Sequence, residues 1–318
     1  MKIILPGGSG QVGMILAREF LARGDEVVIL TRSSNVPLGR AVRWDAESLG
    51  EWSREFDNAD VIINLAGRSV NCRYHPRNRR LIKDSRIKST LIVGEAIRCS
   101  LSPPPLWLQA STATIYAHRY DAPNDEEHGL LGGGEPHAPD TWNFSIDVAT
   151  SWEAAALSCE LPHTRLVLLR SAITFSPDPG SVFEILYNLV NRGLGGTNGD
   201  GRQFVSWIHD RDFLNAIHWL IAHSELSGPV NLASPNPLPN AEFMREFRKA
   251  CGVSIGLPAN KAMLEIGAFF LRTETELLLK SRRVIPGRLL DSGFRFEFPT
   301  WPQAVNNLHH RWKNCTGK

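Results

Sequence analysis

Apolar runs without polar alternation recur along the N-terminal part of the chain. Lys2–Pro6 reads Lys-Ile-Ile-Leu-Pro, and Glu26–Arg32 reads Glu-Val-Val-Ile-Leu-Thr-Arg. Asp60–Gly67, Leu106–Ala110 and Thr164–Arg170 are of the same kind. Strands buried on both faces of a parallel sheet look like this. Between the first two runs, Val12, Leu16 and Phe20 fall on one helical face, and Gly24 closes the helix. Residues 2–32 therefore predict a strand, a glycine loop, a helix and a second strand. A short third strand is expected at Val42–Asp45, after a polar loop with Pro37 and Gly39. Helices are expected over Ser89–Arg98, ended by Pro103–Pro105, and over Phe144–Ser158. The alternation of strands and helices makes this an α/β protein.

From Ala117 to Asp140 the chain is rich in Gly, Pro, Asp and Glu and reads as a long active-site loop. The pattern changes after Thr174. Gly193–Gly201 is a glycine-rich loop, and Phe204–His209 is a strand. Asp210–Asp212 are expected to cap a helix over Phe213–His223. Pro229–Ala233 is a short strand, and the remainder from Pro235 reads as helical apart from Gly-Phe-Arg-Phe-Glu-Phe-Pro at 293–299. No internal repeat is found.

The first loop brings in chemistry. Gly7, Gly10 and Gly13 have the spacing G-x-x-G-x-x-G, directly after a strand and at the mouth of a helix. The first glycine permits a sharp turn. The second removes a side chain where a diphosphate must approach, and the third lets the helix pack closely on the strand. A helix mouth also directs unpaired N–H groups and a positive dipole end at phosphates. The second strand ends in Thr31-Arg32, where an NAD site usually carries Asp or Glu for the ribose 2′-hydroxyl. A guanidinium suits a 2′-phosphate, so NADP(H) is the expected cofactor. A solvated surface arginine is the alternative. Ala66 and Gly67 end a strand with small residues, letting a cofactor lie against the backbone. Asp45 fits either an adenine amino group or a cap on the next turn.

Composition narrows the classes. The chain has 318 residues, a net charge of +2 and 42% hydrophobic content, ordinary for a globular protein. Near-neutral charge gives no general reason to expect nucleic acid. No apolar run approaches the roughly 20 residues needed to cross a bilayer. Cys72, Cys99, Cys159, Cys251 and Cys315 are scattered, so neither a disulfide framework nor a metal site is expected, and a cytoplasmic location fits best. One local charge run stands out. Arg68, Arg73, Arg77, Arg79, Arg80, Lys83, Arg86 and Lys88 face a single Asp84 within 68–88. It suits either phosphate binding or one solvated helix face.

Taken together, these residues resemble the extended short-chain dehydrogenase/reductases, specifically the atypical YfcH-like epimerase family. The resemblance is carried by Gly7–Gly13, Thr31-Arg32, Asn-Leu-Ala-Gly at 64–67, Ser-Arg-Ile at 85–87 with Thr90, and Trp152-Glu153. Gly-Leu-Gly-Gly at 193–196, Gln203 with Ser-Trp-Ile-His at 206–209, and Gly-Pro-Val-Asn-Leu at 228–232 extend it. Ile285-Pro286, Gly293-Phe294 and the following Phe-Pro complete the set. It implies a doubly wound parallel (Rossmann) sheet with a smaller substrate lobe on the C-terminal side. The nucleotide domain would span 1–174, with 207–234 returning to it. The lobe would take 175–206 and 235–318. It implies cofactor contacts from Gly7, Ser9, Gly10, Gln11 and Val12, from Thr31 and Arg32, from Leu65, Ala66 and Gly67, and at Ala110. Arg86 resembles the family's arginine beside the cofactor, and Thr174 follows the strand that brackets the nicotinamide end. The substrate would be a small hydroxyl or carbonyl compound, with a nucleotide sugar as one candidate. A monomer or homodimer is expected.

Related enzymes use a Ser/Thr hydroxyl with a Tyr-x-x-x-Lys pair on one helix face, the lysine lowering the phenol's pKa for proton transfer. Here Ser145 and Ala149 stand at those two positions, and no other tyrosine has a lysine four residues on. Thr112 and Tyr116 remain as catalytic candidates, Tyr116 also reading as a loop aromatic that closes the core. His209 is either a proton shuttle or a structural residue. Two functions stay open. One is an NADP-dependent oxidoreductase or epimerase with an unusual proton donor. The other is an NADP-binding sensor or interaction protein with little turnover.

Overall fold

The structure is a computed structural model that describes residues 1–33, 35–135, 138–260 and 279–316. Its centre is a seven-stranded sheet, parallel throughout. In chain order the strands are β1 (Lys2–Pro6), β2 (Glu26–Thr31), β3 (Arg40–Arg43), β4 (Val61–Asn64), β5 (Leu106–Thr112) and β6 (Arg165–Ser171). Then come β7 (Ile173–Phe175), β8 (Phe204–Val205), β9 (Trp207–His209), β10 (Gly228–Leu232) and β11 (Leu238–Pro239). The large sheet runs β10-β6-β5-β4-β1-β2-β3, while β7 pairs with β9 and β8 with β11. The order reverses at β1, with β2 on one side and β4 on the other. Ligands of open α/β sheets bind at the carboxyl ends beside such a reversal.

The two layers follow from the pleat. Ile3 and Leu5 of β1 point to one face, where α1 (Gln11–Ala22) buries Leu16, Ala17 and Phe20. Ile4 points to the other, where α2 (Pro76–Cys99) buries Val93, Ala96 and Ile97, and α3 (Asp140–Leu157) adds Ala156. The first layer also holds α5 (Asp210–Ala222), through Phe213, Ile217 and Leu220. A third core sits apart from the sheet. There α4 (Val182–Asn191), α6 (Asn240–Ala250) and α8 (Trp301–Thr316) enclose Phe183, Phe243, Phe247, Trp207 and Trp301. Phe243 and Trp301 stack with centroids 4.0 Å apart. A five-residue helix, α7 (Gly287–Asp291), lies against β10.

Several local expectations are corrected. The strand foreseen at Val42–Asp45 ends at Arg43. The helix that Ser89–Arg98 continues begins at Pro76, its first turn capped by His75, whose Nδ1 accepts from Asn78 N at 3.4 Å. The strand foreseen over Phe204–His209 is broken at Ser206. Its hydroxyl donates to Arg282 O at 2.6 Å and accepts from Val284 N at 2.9 Å, displacing the sheet ladder. The cap of α5 is His209 rather than Asp210–Asp212, its Nδ1 accepting from Arg211 N at 3.1 Å. Asp210 instead pairs with Arg311 at 2.7 Å, and Asp212 accepts from the N–H groups of Glu297 and Phe298 at 2.6 and 3.0 Å. The segment after Pro235 is not helical throughout: 280–286 runs extended along its neighbours. The helical expectation for 261–278 lies outside the described residues, as does the part of the 117–140 loop at 136–137.

Candidate functional site

The glycine loop builds a cradle. Gly7 has φ +73°, and a β-carbon there would lie 2.6 Å from Ala66 Cα, so the turn requires glycine. Gly13 would place a β-carbon 2.1 Å from Gly8 O, so α1 packs onto the loop itself. Gly8, which the spacing argument passed over, is also fixed: its β-carbon would meet Leu5 Cβ at 2.6 Å. Gly10 differs. Its β-carbon would meet nothing nearer than Gly7 O at 4.0 Å, because it points into an open cleft. No side chain caps α1 and no acidic residue stands in its first turn. The N–H groups of that turn therefore face the cleft uncovered.

The cleft, of about 550 Å³, is lined by Gly7, Ser9, Gly10, Thr31, Arg32, Ala66 and Gly67, with Ser85 and Lys88 from α2. These seven loop and strand-end residues were all expected at a cofactor site, and they are brought together here. Gln11 and Val12 form the first turn of α1, and Leu65 continues β4, its N–H donating to Pro6 O at 2.8 Å. Ala110 and Thr174 lie farther along, in β5 and β7, and neither lines this cleft. Thr31 is buried, its hydroxyl 3.4 Å from Ser9 Oγ and accepting from Ser33 N at 3.1 Å. Arg32 is exposed and makes no hydrogen bond or ion pair among the described residues. It also borders a neighbouring hollow of about 460 Å³ with Trp44, Asp45 and Trp52. Asp45 accepts from the Ser48 hydroxyl and from the N–H groups of Glu47 and Ser48, which hold its carboxyl down at about 2. It caps that turn while bordering both hollows.

A second, inner cavity of about 280 Å³ opens beyond the end of β5. Thr112, Ser111, Thr114, Ser145, Tyr74, Phe144, Trp152, Arg86 and Arg282 contribute to its lining. Arg86 lies against Gly67, where the cleft and the cavity meet: a β-carbon on Gly67 would sit 3.2 Å from its Cζ. Its Nη1 donates to the carbonyls of Arg68 and Ile82 at 3.0 Å, and its guanidinium lies 5.0 Å from the Trp152 ring centroid. Burial pushes it down to about 10. Three others of the basic run are ion-paired at the surface, as Lys83–Asp147, Lys88–Glu47 and Arg79–Asp140. Solvated helix face is thus the better description for those three.

Thr112 Oγ1 accepts from Thr114 N at 3.2 Å, so its own proton is left to donate towards the cavity. Of its two readings, Tyr116 takes the one that closes the core. It is 2% exposed and absent from the cavity lining. Its hydroxyl donates to Asn231 Oδ1 at 3.0 Å and accepts from Arg170 Nη1 at 2.9 Å. Burial raises its pKa despite Arg170. It is a structural tether with its proton already committed. His209 is fully buried between Arg211 N and Asn307 Oδ1, which rules out the shuttle reading. Ser145 lines the cavity and Ala149 is buried, so α3 brings no Tyr–Lys pair to it.

Sheet order, glycine cradle and uncapped helix mouth together define a dinucleotide-binding protein of the extended short-chain dehydrogenase/reductase type. Residues 3–233 match the model of the NAD dependent epimerase/dehydratase family, and the chain belongs to that family. Residues 261–308 match a second model, a domain of unknown function, DUF1731. The chain is 30% identical over 314 residues to the bovine epimerase family protein SDR39U1, covering 97% of this chain and 99% of that one. It is 29% identical over 308 residues to epimerase family protein ML0860 of Mycobacterium leprae, covering 96% and 94%. Among solved structures, human SDR39U1 with NADPH superposes with a TM-score of 0.83 at 28% identity, covering 98% and 99%. The nucleoside-diphosphate sugar epimerase of Corynebacterium glutamicum superposes at 0.75 with 25% identity, covering 97% of this chain and 58% of that one.

Proposed function

We propose that this protein is an NADPH-dependent oxidoreductase acting on a small carbonyl compound. The observation that carries the reading is Arg32, an exposed guanidinium without a partner among the described residues, at the end of β2 beside an open helix mouth. The human relative's crystal form with NADPH supports it. Gly7, Gly10 and the first turn of α1 would hold the diphosphate, Arg32 and Thr31 the phosphorylated ribose, and Ala66 and Gly67 the backbone side. When bound, such a cofactor supplies a hydride at the nicotinamide ring.

The chain's own residues do the rest. The Thr112 hydroxyl donates to the substrate oxygen and so polarises the carbonyl. Phe144 and Trp152 supply a flat apolar wall, and Arg86 sits at the junction with the nucleotide. At about 280 Å³ the inner cavity falls just below the ordinary range for small-molecule sites, roughly 300–1,000 Å³. That favours a small substrate over a nucleotide sugar. A second reading is favoured by Ser145 and Ala149: with no phenol and ammonium at those positions, an NADPH-binding protein with little turnover is the alternative.

The test is to titrate NADPH and NADH, then follow NADPH absorbance with a panel of small aldehydes and ketones. Tight NADPH binding with hydride consumption that falls in Thr112→Ala supports the first reading. Tight binding without consumption supports the second. Absent binding of either nucleotide removes both.

A further inference from the structure

β3 carries a guanidinium at each end, and only one of them is paired. At the amino end Arg40 is held by Glu55 at 2.7 Å and by Glu26 at 3.1 Å. At the carboxyl end Arg43 is exposed and makes no hydrogen bond or ion pair among the described residues. Its register partner in β2 is Thr31, so Arg32 and Arg43 leave the ends of adjacent strands, which lie about 4.8 Å apart in a sheet. Both line the hollow of about 460 Å³, together with Trp44, Asp45, Glu51 and Trp52. That hollow adjoins the nucleotide cleft, because Arg32, Trp44 and Asp45 border both. The carboxylates of these two acidic residues are already engaged. Asp45 accepts from Glu47 N and Ser48 N at 2.9 Å each, and Glu51 pairs with Arg54 at 2.6 Å. Trp44 and Trp52 are buried edge to face, with centroids 5.3 Å apart, and form the apolar side of the hollow.

We propose that Arg43 is a second ligand of the cofactor's 2′-phosphate and shares with Arg32 the choice of NADP(H) over NAD(H). Two cations at neighbouring strand ends repel each other unless an anion stands between them. A phosphate dianion supplies that anion, since its three terminal oxygens can accept from two guanidinium forks at once. The competing use of Arg43 is to lay its guanidinium plane on the adenine ring. The lining favours the phosphate. Arg32 and Arg43 share one hollow, whereas the cleft continues on the other side past Ala46, Ser85 and Lys88, which leaves room there for the base. The inference rests on the reading of this cleft as an NADPH site. It makes no use of the inner cavity or of turnover.

The experiment is calorimetric titration of the full chain with NADPH, NADH, 2′,5′-ADP and 5′-AMP, in the wild type, Arg43→Gln, Arg43→Lys and the double variant Arg32→Ala/Arg43→Gln. Arg43→Gln is expected to weaken NADPH and 2′,5′-ADP about tenfold, the lower range for a charged hydrogen bond. NADH and 5′-AMP should be nearly unchanged. Arg43→Lys should keep part of the NADPH margin, and the double variant should lose it. Added salt should narrow the margin of NADPH over NADH more in the wild type than in Arg43→Gln, because exposed charge pairs are screened. Equal losses for phosphorylated and unphosphorylated nucleotides in Arg43→Gln overturn the proposal and assign the guanidinium to the adenine. Unchanged NADPH affinity in Arg43→Gln, with the wild type still preferring NADPH, overturns it while the cofactor reading stands. A wild type that binds NADPH and NADH alike, or neither, removes both. Should the margin narrow as expected while no carbonyl compound is reduced, Arg43 keeps its role and the reductase reading falls.

Discussion

The Arg170 guanidinium grips both carboxylate oxygens of Glu153, Nε at 2.9 Å and Nη2 at 2.8 Å, with each side chain less than a tenth exposed. The pair joins β6 to α3 directly behind the inner cavity. Ser111 donates to the same carboxylate at 2.5 Å, and Tyr116 accepts from the remaining guanidinium nitrogen. Burial disfavours the arginine's charge, yet the bonds from Glu153 outweigh it and hold its pKa above the ordinary value. Removing one member leaves a buried charge alone. Arg170→Met is therefore expected to lose about 3–5 kcal/mol of stability. Urea unfolding followed by tryptophan fluorescence measures this, and a loss below about 1 kcal/mol would show that the pair is not holding the two elements together.

Arg32 gives a prediction about cofactor choice. Arg32→Ala should weaken NADPH by roughly 1.5–3 kcal/mol, about ten- to a hundredfold, the usual worth of a charged hydrogen bond. NADH, without the 2′-phosphate, should be nearly unaffected. Equal losses for both nucleotides in a fluorescence titration would refute the role.

Gly10 and Gly13 separate binding from folding. At Gly13 a methyl group collides with Gly8 O, so Gly13→Ala should lower stability and NADPH affinity together. At Gly10 the backbone is ordinary, φ −81° and ψ 175°, and a methyl group would enter the open cleft. Gly10→Ala should keep the melting temperature within about 2 °C, the usual effect of a change below roughly 0.5 kcal/mol. It should nonetheless bind NADPH at least about tenfold more weakly. A Gly10→Ala variant with wild-type affinity would remove the diphosphate from that position.

His209 and Asp212 shape the pH dependence with opposite signs. Burial pushes His209 down to about 4, so the unfolded chain takes up its proton first, and stability falls as pH drops from about 6.5 towards 4. Burial pushes Asp212 up to about 6, so the folded chain keeps its proton longer, and stability falls as pH rises from about 4 to 6. The two contributions oppose each other across one window. His209→Asn keeps an acceptor for the α5 cap and removes the first contribution. Stability of that variant, measured by urea unfolding at successive pH values, should decline more steeply from pH 4 to 6 than in the wild type. An identical pH profile would show that His209 titrates alike in both states.

The glycine cradle and the sheet were legible because their signals are local. Strand, loop and helix lie within residues 2–32, and burial of a parallel strand on both faces leaves a continuous apolar run. Long-range pairing was not legible. Ser206 breaks a strand only because Arg282 and Val284 reach it from far along the chain, and nothing near Ser206 announces that. The same holds for Arg282 at the cavity and for Arg170 with Glu153. Tyr116 was legible in part: its place after Thr112 left chemistry and core closure both open, and its partners Asn231 and Arg170, from β10 and β6, hold it in the core. The constraint on Gly8 was missed because it comes from the closeness of Leu5, a matter of packing rather than spacing.

The extended segment at 280–284 has a consequence for the order in which the molecule is completed. Among the described residues, those that frame the nucleotide cleft lie between Gly7 and Lys88, whereas the inner cavity also takes Arg282 into its lining. A chain cut before Lys280 should retain a nucleotide pocket while leaving its neighbour without a side. Protease digestion would report this as new cleavage within 114–124, the loop whose His118 and Asn124 lose their bonds to Ser281 and Arg283.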